Sequence, residues 1–440
     1  MFIGIDIGTS GCRATAIDED GVQLAEVSIE FPPQQRFGTH VSQDPQVWWD
    51  AVLDLFQILS LQIDLPDVKA LSVDGTSATL VLADKRGAPI ALALMYNDAR
   101  AIQELEQIQL HAPADYAVHS ASSTLAKVLW CQRHHMLERC DHIMHQSDWV
   151  ISQFSGIRGI SDINNCIKLG YDAQHNKWPE WLQAFPIAPE LLPRVVTPGT
   201  YMGQIRAEVA KQTGLPKETQ IFAGTTDSTA AVLATGISHS GEAVTSLGST
   251  LVLKVLADEP LHSVEHGIYS QPFFGKWLIG GASNSGGAVL LKYFSQIQLD
   301  LLTKELQPDK STGLDYYPLL TPGERFPVNN PELEPRLKPR PKSDVKYFQG
   351  ILEGIAAIEH HGYRLLNQLG GPYPRQVYST GGGAINEPWR LIREKTLNIP
   401  VLASKHKQAS YGTALLARNG WRKVAETTAA VSQSIEWVTD

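Results

Sequence analysis

Short apolar runs alternate with stretches of helical spacing along most of the chain, a pattern that predicts an α/β fold. From Phe2 to Ile17 two strand-like runs, FIGIDIG and CRATAID, meet at Thr9-Ser10-Gly11, as in a hairpin with a polar tip. A second such pair lies 240 residues downstream, where Ala243 to Leu247 passes through Gly248-Ser249-Thr250 into Leu251 to Val255. The two tips, Ile-Gly-Thr-Ser and Leu-Gly-Ser-Thr, match closely enough to suggest a duplicated domain. Between them, Ala70 to Asp74 and Thr79 to Asp84 read as strands, and Asp44-Pro45 opens a helix carrying Val47, Trp48, Ala51, Val52 and Leu55 at helical spacing. Tyr347 to Leu369 is a long helical pattern that should stop at Gly370-Gly371-Pro372. After it come a strand, Gln376 to Thr380, opening onto Gly381-Gly382-Gly383, a further strand, Pro400 to Ala403, and a small-residue helix, Ala409 to Leu416. Proline and glycine cluster around 186–203 and 318–341, which predicts irregular surface excursions. The basic run Pro335 to Lys342 reads as a solvated loop.

Composition narrows the function. In 440 residues, 37 Lys and Arg stand against 46 Asp and Glu, a net charge of -9, the wrong sign for a protein whose main partner is nucleic acid or an anionic bilayer. Four cysteines without a CxxC pair make neither a disulfide framework nor a zinc knuckle, so a reducing cytoplasm is the expected compartment. The N-terminus lacks the basic start and apolar run of an export signal, and no run of about 18 apolar residues occurs. The histidines at 134, 135, 142, 145, 360 and 361 match no zinc spacing and read as structural; Trp48 and Trp49 read as core packing.

Three glycine-containing loops carry candidate chemistry. Asp6-Ile7-Gly8-Thr9-Ser10-Gly11 offers backbone N–H groups, two hydroxyls and a carboxylate at a strand end, which suit an anion approached through a cation, or simply a polar turn. Gly248-Ser249-Thr250 repeats the tip with Ser246 where Asp6 stands, so it can meet terminal phosphates without like-charge repulsion. Gly381-Gly382-Gly383 leaves a slot for a flat ring or ribose, with Asn386 as a hydrogen-bonding group. Neither a Walker loop nor a dinucleotide fingerprint is present. Asp227, in Gly224-Thr225-Thr226-Asp227 ahead of a small-residue helix, is either a carboxylate facing the helix dipole or a catalytic base.

Taken in order, Asp6-Ile7-Gly8-Thr9-Ser10, Gly224 to Asp227, Leu247 to Thr250 and Thr380 to Asn386 resemble the FGGY carbohydrate kinases. Gln43-Asp44-Pro45 with Trp48-Trp49, Lys127 with Trp130, and Gly170-Tyr171-Asp172 with Trp178 are similar to further family segments, so the resemblance spans essentially the whole chain. It implies two ribonuclease H-like, actin-like domains with a catalytic cleft between them. The expected division is a sugar-binding domain over 1–234 and a nucleotide-binding domain over 235–440, with about the last 30 residues free to pack back on the first. It also implies ATP and Mg2+. Asp6 would organise magnesium and touch the sugar, and Gly8, Thr9 and Ser10 would face the phosphates. Asp227 would take the proton of the attacked hydroxyl; Gly248, Ser249 and Thr250 would bind terminal phosphates; Gly381, Gly382, Gly383 and Asn386 would surround the adenosine. Asp74, Ser77, Asn97 and Asp98 are the expected sugar-side residues, together with Asp6 and Asp227. Asp74-Gly75-Thr76-Ser77-Ala78 stands where xylulokinases carry Gly-Gln-Met-His, and looks like a short D-ribulose kinase branch. The expected acceptor is therefore D-ribulose, with D-xylulose as the alternative and an actin-like ATP-dependent switch as a distant third.

Overall fold

The computed structural model of the chain describes residues 1–436; positions 437–440 of the expected second domain lie outside the described residues. Contacts within the chain divide it into two units, one of Met1–Ala234 together with the segment that begins at Gln408, the other Thr235–Lys407.

The first unit is built on β1 (Phe2–Ile7), β2 (Gly11–Ile17), β3 (Gln23–Glu30), β4 (Ala70–Gly75), β5 (Tyr201–Gln204) and β6 (Gln220–Phe222), in the order β5-β6-β4-β1-β2-β3. The hairpin β1–β2 and strand β3 pair antiparallel, whereas β4 and β6 continue the sheet in parallel from β1. Full burial of β4 follows from cover on both faces. One cover includes α1 (Pro45–Leu59), capped by the Asp44 side chain, which accepts from the backbone N–H of Gln46 at 3.0 Å. Its Trp48 is fully buried edge-on to Trp149 at 6.2 Å, and Trp49 packs on Phe154 at 5.0 Å, so both tryptophans serve the core. Helix α2 (Thr124–Arg133), α3 (Gln146–Ser155), the short α4 (Ile163–Cys166) and α5 (Asp227–Ala234) complete the helices used below. A smaller five-stranded sheet holds Leu80–Ala83, Ala93–Leu94 and His142–His145.

The second unit repeats the plan. Its strands β7 (Glu242–Leu247), β8 (Leu251–Ala257), β9 (Tyr269–Phe273), β10 (Lys276–Ser283), β11 (Gln376–Thr380) and β12 (Val401–Ala403) run β9-β10-β8-β7-β11-β12. Again a hairpin and a third antiparallel strand are extended by two parallel strands. The two similar hairpin tips therefore occupy the same place in their respective sheets. Helices α6 (Gly287–Tyr293), α7 (Asp344–Gln368) and α8 (Glu387–Leu397) belong to this unit. Helix α7 starts three residues before the predicted Tyr347 because Ser343 caps it, accepting from the backbone N–H of Lys346 at 3.2 Å.

Two expectations about length differ from the structure. The final helix, α9 (Ala409–Glu436), runs well past Leu416. Gly420 does not break it: a Cβ there would lie 2.5 Å from the Phe222 ring and 2.6 Å from the Gly199 carbonyl, so the glycine lets the helix pack closely against β6. The segment 186–203 contains Arg194–Val196 and the start of β5, strands of three and four residues with too few alternations to be read. The 335–342 loop is held by ion pairs Arg336–Asp315 and Arg340–Asp344, as a solvated loop would be.

Candidate functional site

Three carboxylates converge in the first unit. Parallel pairing of β1 with β4 sets Asp6 beside Asp74 in register, and the side chains are hydrogen-bonded to each other. Oδ1 of each is enclosed and receives no donor from any other group, as expected of two carboxyls that share a proton. Asp74 is 0 % exposed and also accepts from the Thr413 hydroxyl of α9. Burial, then the Asp6 charge, pushes its pKa well above the usual carboxylate range. Asp6 is half-buried, and burial raises its pKa too, opposed by the hydrogen bond from Asp74 and by Arg13.

Asp227 begins α5. Thr226 turns the chain into that helix, its carbonyl accepting from the N–H groups of Thr229 and Ala230 at 3.0 and 2.9 Å. Asp227 Oδ1 accepts from the backbone N–H of Ser228 at 2.6 Å. Burial and the charge of Asp6 raise its pKa to about 6, with the Lys168 cation acting in the opposite direction. Asp6 and Asp227, 221 positions apart in sequence, thus sit within electrostatic reach inside one unit.

The hairpin tip at Gly8 is a tight turn, its N–H donating to the Gly11 carbonyl at 2.9 Å, and the Thr9 and Ser10 side chains are exposed. Among the described residues no group of three or more His, Cys, Asp or Glu could hold a metal. The donor set fits Mg2+ all the same, because that ion keeps waters and binds through one or two carboxylates plus phosphate oxygens. Asp6, half-buried at the end of β1, is the residue that would offer it a carboxylate oxygen.

The expected sugar-side residues divide. Asp74 has Asp6 and Thr413 as its partners and no exposed surface. Asp98 is likewise fully buried, accepting from the backbone N–H of Val41 at 2.6 Å and from Arg100 Nε at 2.9 Å, and so fixes its loop. Ser77 remains half-buried at the end of its loop, and Asn97 keeps an enclosed Oδ1 without a donor. Both loops hang on Lys127, whose fully buried ammonium donates to the carbonyls of Ala78 and Met95 at 2.8 and 2.6 Å. Burial pulls its pKa down to about 7 against the attraction of Asp98. A lysine amid the apolar positions of α2 was the available signal for this role. Gln146 and Asn164, also buried in this unit, carried no such signal.

In the second unit a cavity of about 530 Å³ is lined by Leu247, Gly248, Ser249, Thr303, Gly382, Gly383, Ile385, Asn386 and Trp389, among others. Its size and mainly apolar wall suit a heterocycle. The three glycines differ in purpose. Gly381 has φ +80° and Gly383 abuts the Trp389 ring, where a Cβ would come within 2.5 Å, whereas a Cβ on Gly382 would meet nothing within 4 Å. Asn386 caps α8, accepting from the backbone N–H of Trp389 at 3.0 Å, and its amide donates to Thr303 at 3.1 Å. It shapes the wall with a side chain already engaged. Thr250 closes the hairpin turn, its carbonyl accepting from Gly248 at 3.2 Å.

No helix among the described residues is long and apolar enough to cross a membrane. Residues 1–234 match the model of the N-terminal domain, and residues 243–421 that of the C-terminal domain, of the FGGY family of carbohydrate kinases. The chain is 25% identical over 448 residues to a xylulose kinase of Staphylococcus epidermidis, covering 97% of this chain and 90% of the relative. It is 23% identical to a gluconokinase of Bacillus subtilis, covering 93% and 85%. The solved xyloylose kinase of Brucella ovis shares its fold with a TM-score of 0.86 at 22% identity, over 96% of this chain and 90% of that one.

Proposed function

The chain belongs to the FGGY family of carbohydrate kinases, and on that footing we propose that it transfers the γ-phosphate of Mg-ATP to a hydroxyl of a ketopentose. The observation that carries the reading is the half-buried Asp227 at the head of α5, within reach of the Asp6 charge. The acceptor oxygen attacks the γ-phosphorus, the bond from that phosphorus to the β,γ-bridging oxygen breaks, and the hydroxyl proton passes to Asp227. Phosphoryl transfer of this kind is loose and the proton leaves late, so placement of the base matters more than its strength. Mg2+, when bound, offsets charge on the transferring group, and Asp6 is the residue that would hold it.

Between the two ketopentoses, the relatives named xylulose kinase favour D-xylulose over the D-ribulose expected from the sequence. The D-ribulose reading keeps one observation of its own. Where xylulokinases carry Gly-Gln-Met-His, this chain has a short loop whose Thr76 hydroxyl is bound to Gln146 and whose Ala78 sits at φ +69°. ADP release measured with both sugars decides it: a kcat/KM higher for D-xylulose supports the first reading, and one higher for D-ribulose reverses it.

Two expectations follow for the same preparation. Because an effective base must be deprotonated and its carboxyl titrates at about 6, kcat/KM is expected to fall as pH drops through that value, by about tenfold per unit below it. A divalent cation at Asp6 moves this limb down in pH, since it offsets the charge that raises Asp227. A rate independent of pH from 5 to 8 would contradict the assignment. Gly382 lines the cavity and a Cβ there meets nothing within 4 Å, so for Gly382→Leu the KM for ATP is expected to rise at least about tenfold with the sugar KM and the Tm held. An unchanged KM for ATP would move the nucleotide elsewhere.

A further inference from the structure

Buried amides are normally paired, because an enclosed amide atom without a partner loses its hydration and gains nothing in return. Two amides bonded to Thr76 and Thr225, near the turn that leads into Asp227, each carry such an atom. Gln146, the first residue of α3, is 0 % exposed, and its Oε1 accepts from Thr76 N–H at 2.9 Å and from the Thr76 hydroxyl at 2.7 Å. Those donors fix the orientation of the amide and leave Nε2 enclosed with no acceptor. Asn164, in α4, is 2 % exposed; its amide is bonded to the Thr225 hydroxyl at 3.1 Å, and Oδ1 is enclosed with no donor. Whichever way that amide is turned, one of its atoms meets Thr225 and the other meets nothing. The two anchoring threonines stand on joined backbones. Gly75 N–H donates to the Thr225 carbonyl at 3.3 Å, and Gly75 bridges Thr226 in parallel. Thr76 precedes Ser77, and Thr225 stands two residues before Asp227.

We propose that Gln146 and Asn164 form a hydroxyl-reading subsite beside Asp227, the Gln146 Nε2 donating to one oxygen of the acceptor and the Asn164 amide engaging a neighbouring hydroxyl. This rests on the reading of the protein as a sugar kinase and names the residues that select its acceptor. A sugar carbon chain presents adjacent oxygens that donate and accept, the complement of one free N–H pair and one free carbonyl. Epimers differing at one carbon cannot satisfy both groups equally, and a site left with an unpaired buried amide rejects the poorer fit.

The test uses the purified full chain with Gln146→Glu, which keeps the oxygen that accepts from Thr76 but removes the amide donor, with Gln146→Met as its companion, and with Asn164→Ala. Each is assayed on the acceptor that the parent uses best among ketopentoses, pentitols and aldonates, and on the epimers D-ribulose and D-xylulose. The expected result is an acceptor KM raised about tenfold, a KM for ATP within about twofold of the parent, and a changed ratio of kcat/KM between the epimers. A purely structural role would not move that ratio selectively. Variants that bind ATP like the parent yet keep acceptor KM and epimer ratio within about twofold overturn the proposal. Should one glutamine variant fail to fold, the other and Asn164→Ala decide; failure of all three to bind ATP assigns the amides to folding and also overturns it. A parent that phosphorylates a different acceptor removes the ketopentose reading alone, and the subsite is then scored on that acceptor. A parent inactive on every acceptor removes both.

Discussion

Asp227→Ala is expected to lower kcat for sugar-dependent ADP release by about 10²–10⁴-fold while ATP still binds with the affinity of the parent. The carboxylate heads α5 in the first unit, whereas the cavity suited to the nucleotide is lined wholly by residues of the second. Removing the side chain deletes the proton acceptor and one negative charge near Asp6 without touching that cavity. Asp227→Asn should behave almost identically, because it keeps the shape and loses the basicity. A residual kcat within about tenfold of the parent would mean that another group takes the proton, since positioned bases contribute more than that. Steady-state kinetics with a nucleotide titration in parallel separates the two effects.

The second large effect is on stability. Arg393→Ala is expected to destabilise the second unit by about 3–5 kcal/mol, the usual consequence of removing one partner of a buried ion pair. Arg393 and Glu359 are 1 % and 0 % exposed, joined by two hydrogen bonds of 2.6 and 2.8 Å. The guanidinium also donates to Ser379 on β11 at 2.7 Å, and Glu359 accepts from Thr245 on β7 at 2.6 Å, with Thr245 bonded in turn to Tyr363 at 2.7 Å. The network therefore ties together the two strands that end in the Gly248 and Gly381 loops, through α7 and α8. Loss of the arginine should lower the Tm of this unit and raise the KM for ATP together. Replacing both partners, as Arg393→Met with Glu359→Leu, should restore much of the lost stability because no charge is left stranded. A single variant melting within a degree or two of the parent would show that the pair holds nothing.

What could be read from the residues alone depended on how local the chemistry is. The loops at Gly8, Gly248 and Gly381 announce themselves through glycine at strand ends, and Asp227 through the turn before a helix, because each motif is complete within a few positions. The partners of Asp74 and Asp98 were not legible because a polar residue near a strand end looks the same in sequence whether it faces a ligand or a neighbour. The structure gives Asp74 to Thr413, 339 positions away, and Asp98 to Val41, 57 away. Lys127, Gln146, Asn164 and Arg393 share that difficulty, with partners 49, 70, 61 and 34 positions distant. The fold was more legible than the site, since two copies of one hairpin and the strand-turn-helix repeats are visible along the chain, whereas the length of α9 depended on what Gly420 packs against.

On the proposed reading, ATP is turned over by phosphoryl transfer to a sugar hydroxyl with Asp227 taking the proton. Parallel measurement of ADP and of phosphorylated ketopentose, with parent and Asp227→Ala protein supplied with Mg-ATP, tests it most directly. One sugar phosphate is expected for each ADP in the parent, with almost no ADP when sugar is omitted and loss of both products together in the variant. ADP formed at the same rate with and without every sugar, or sugar phosphate formed undiminished by the variant, would contradict it.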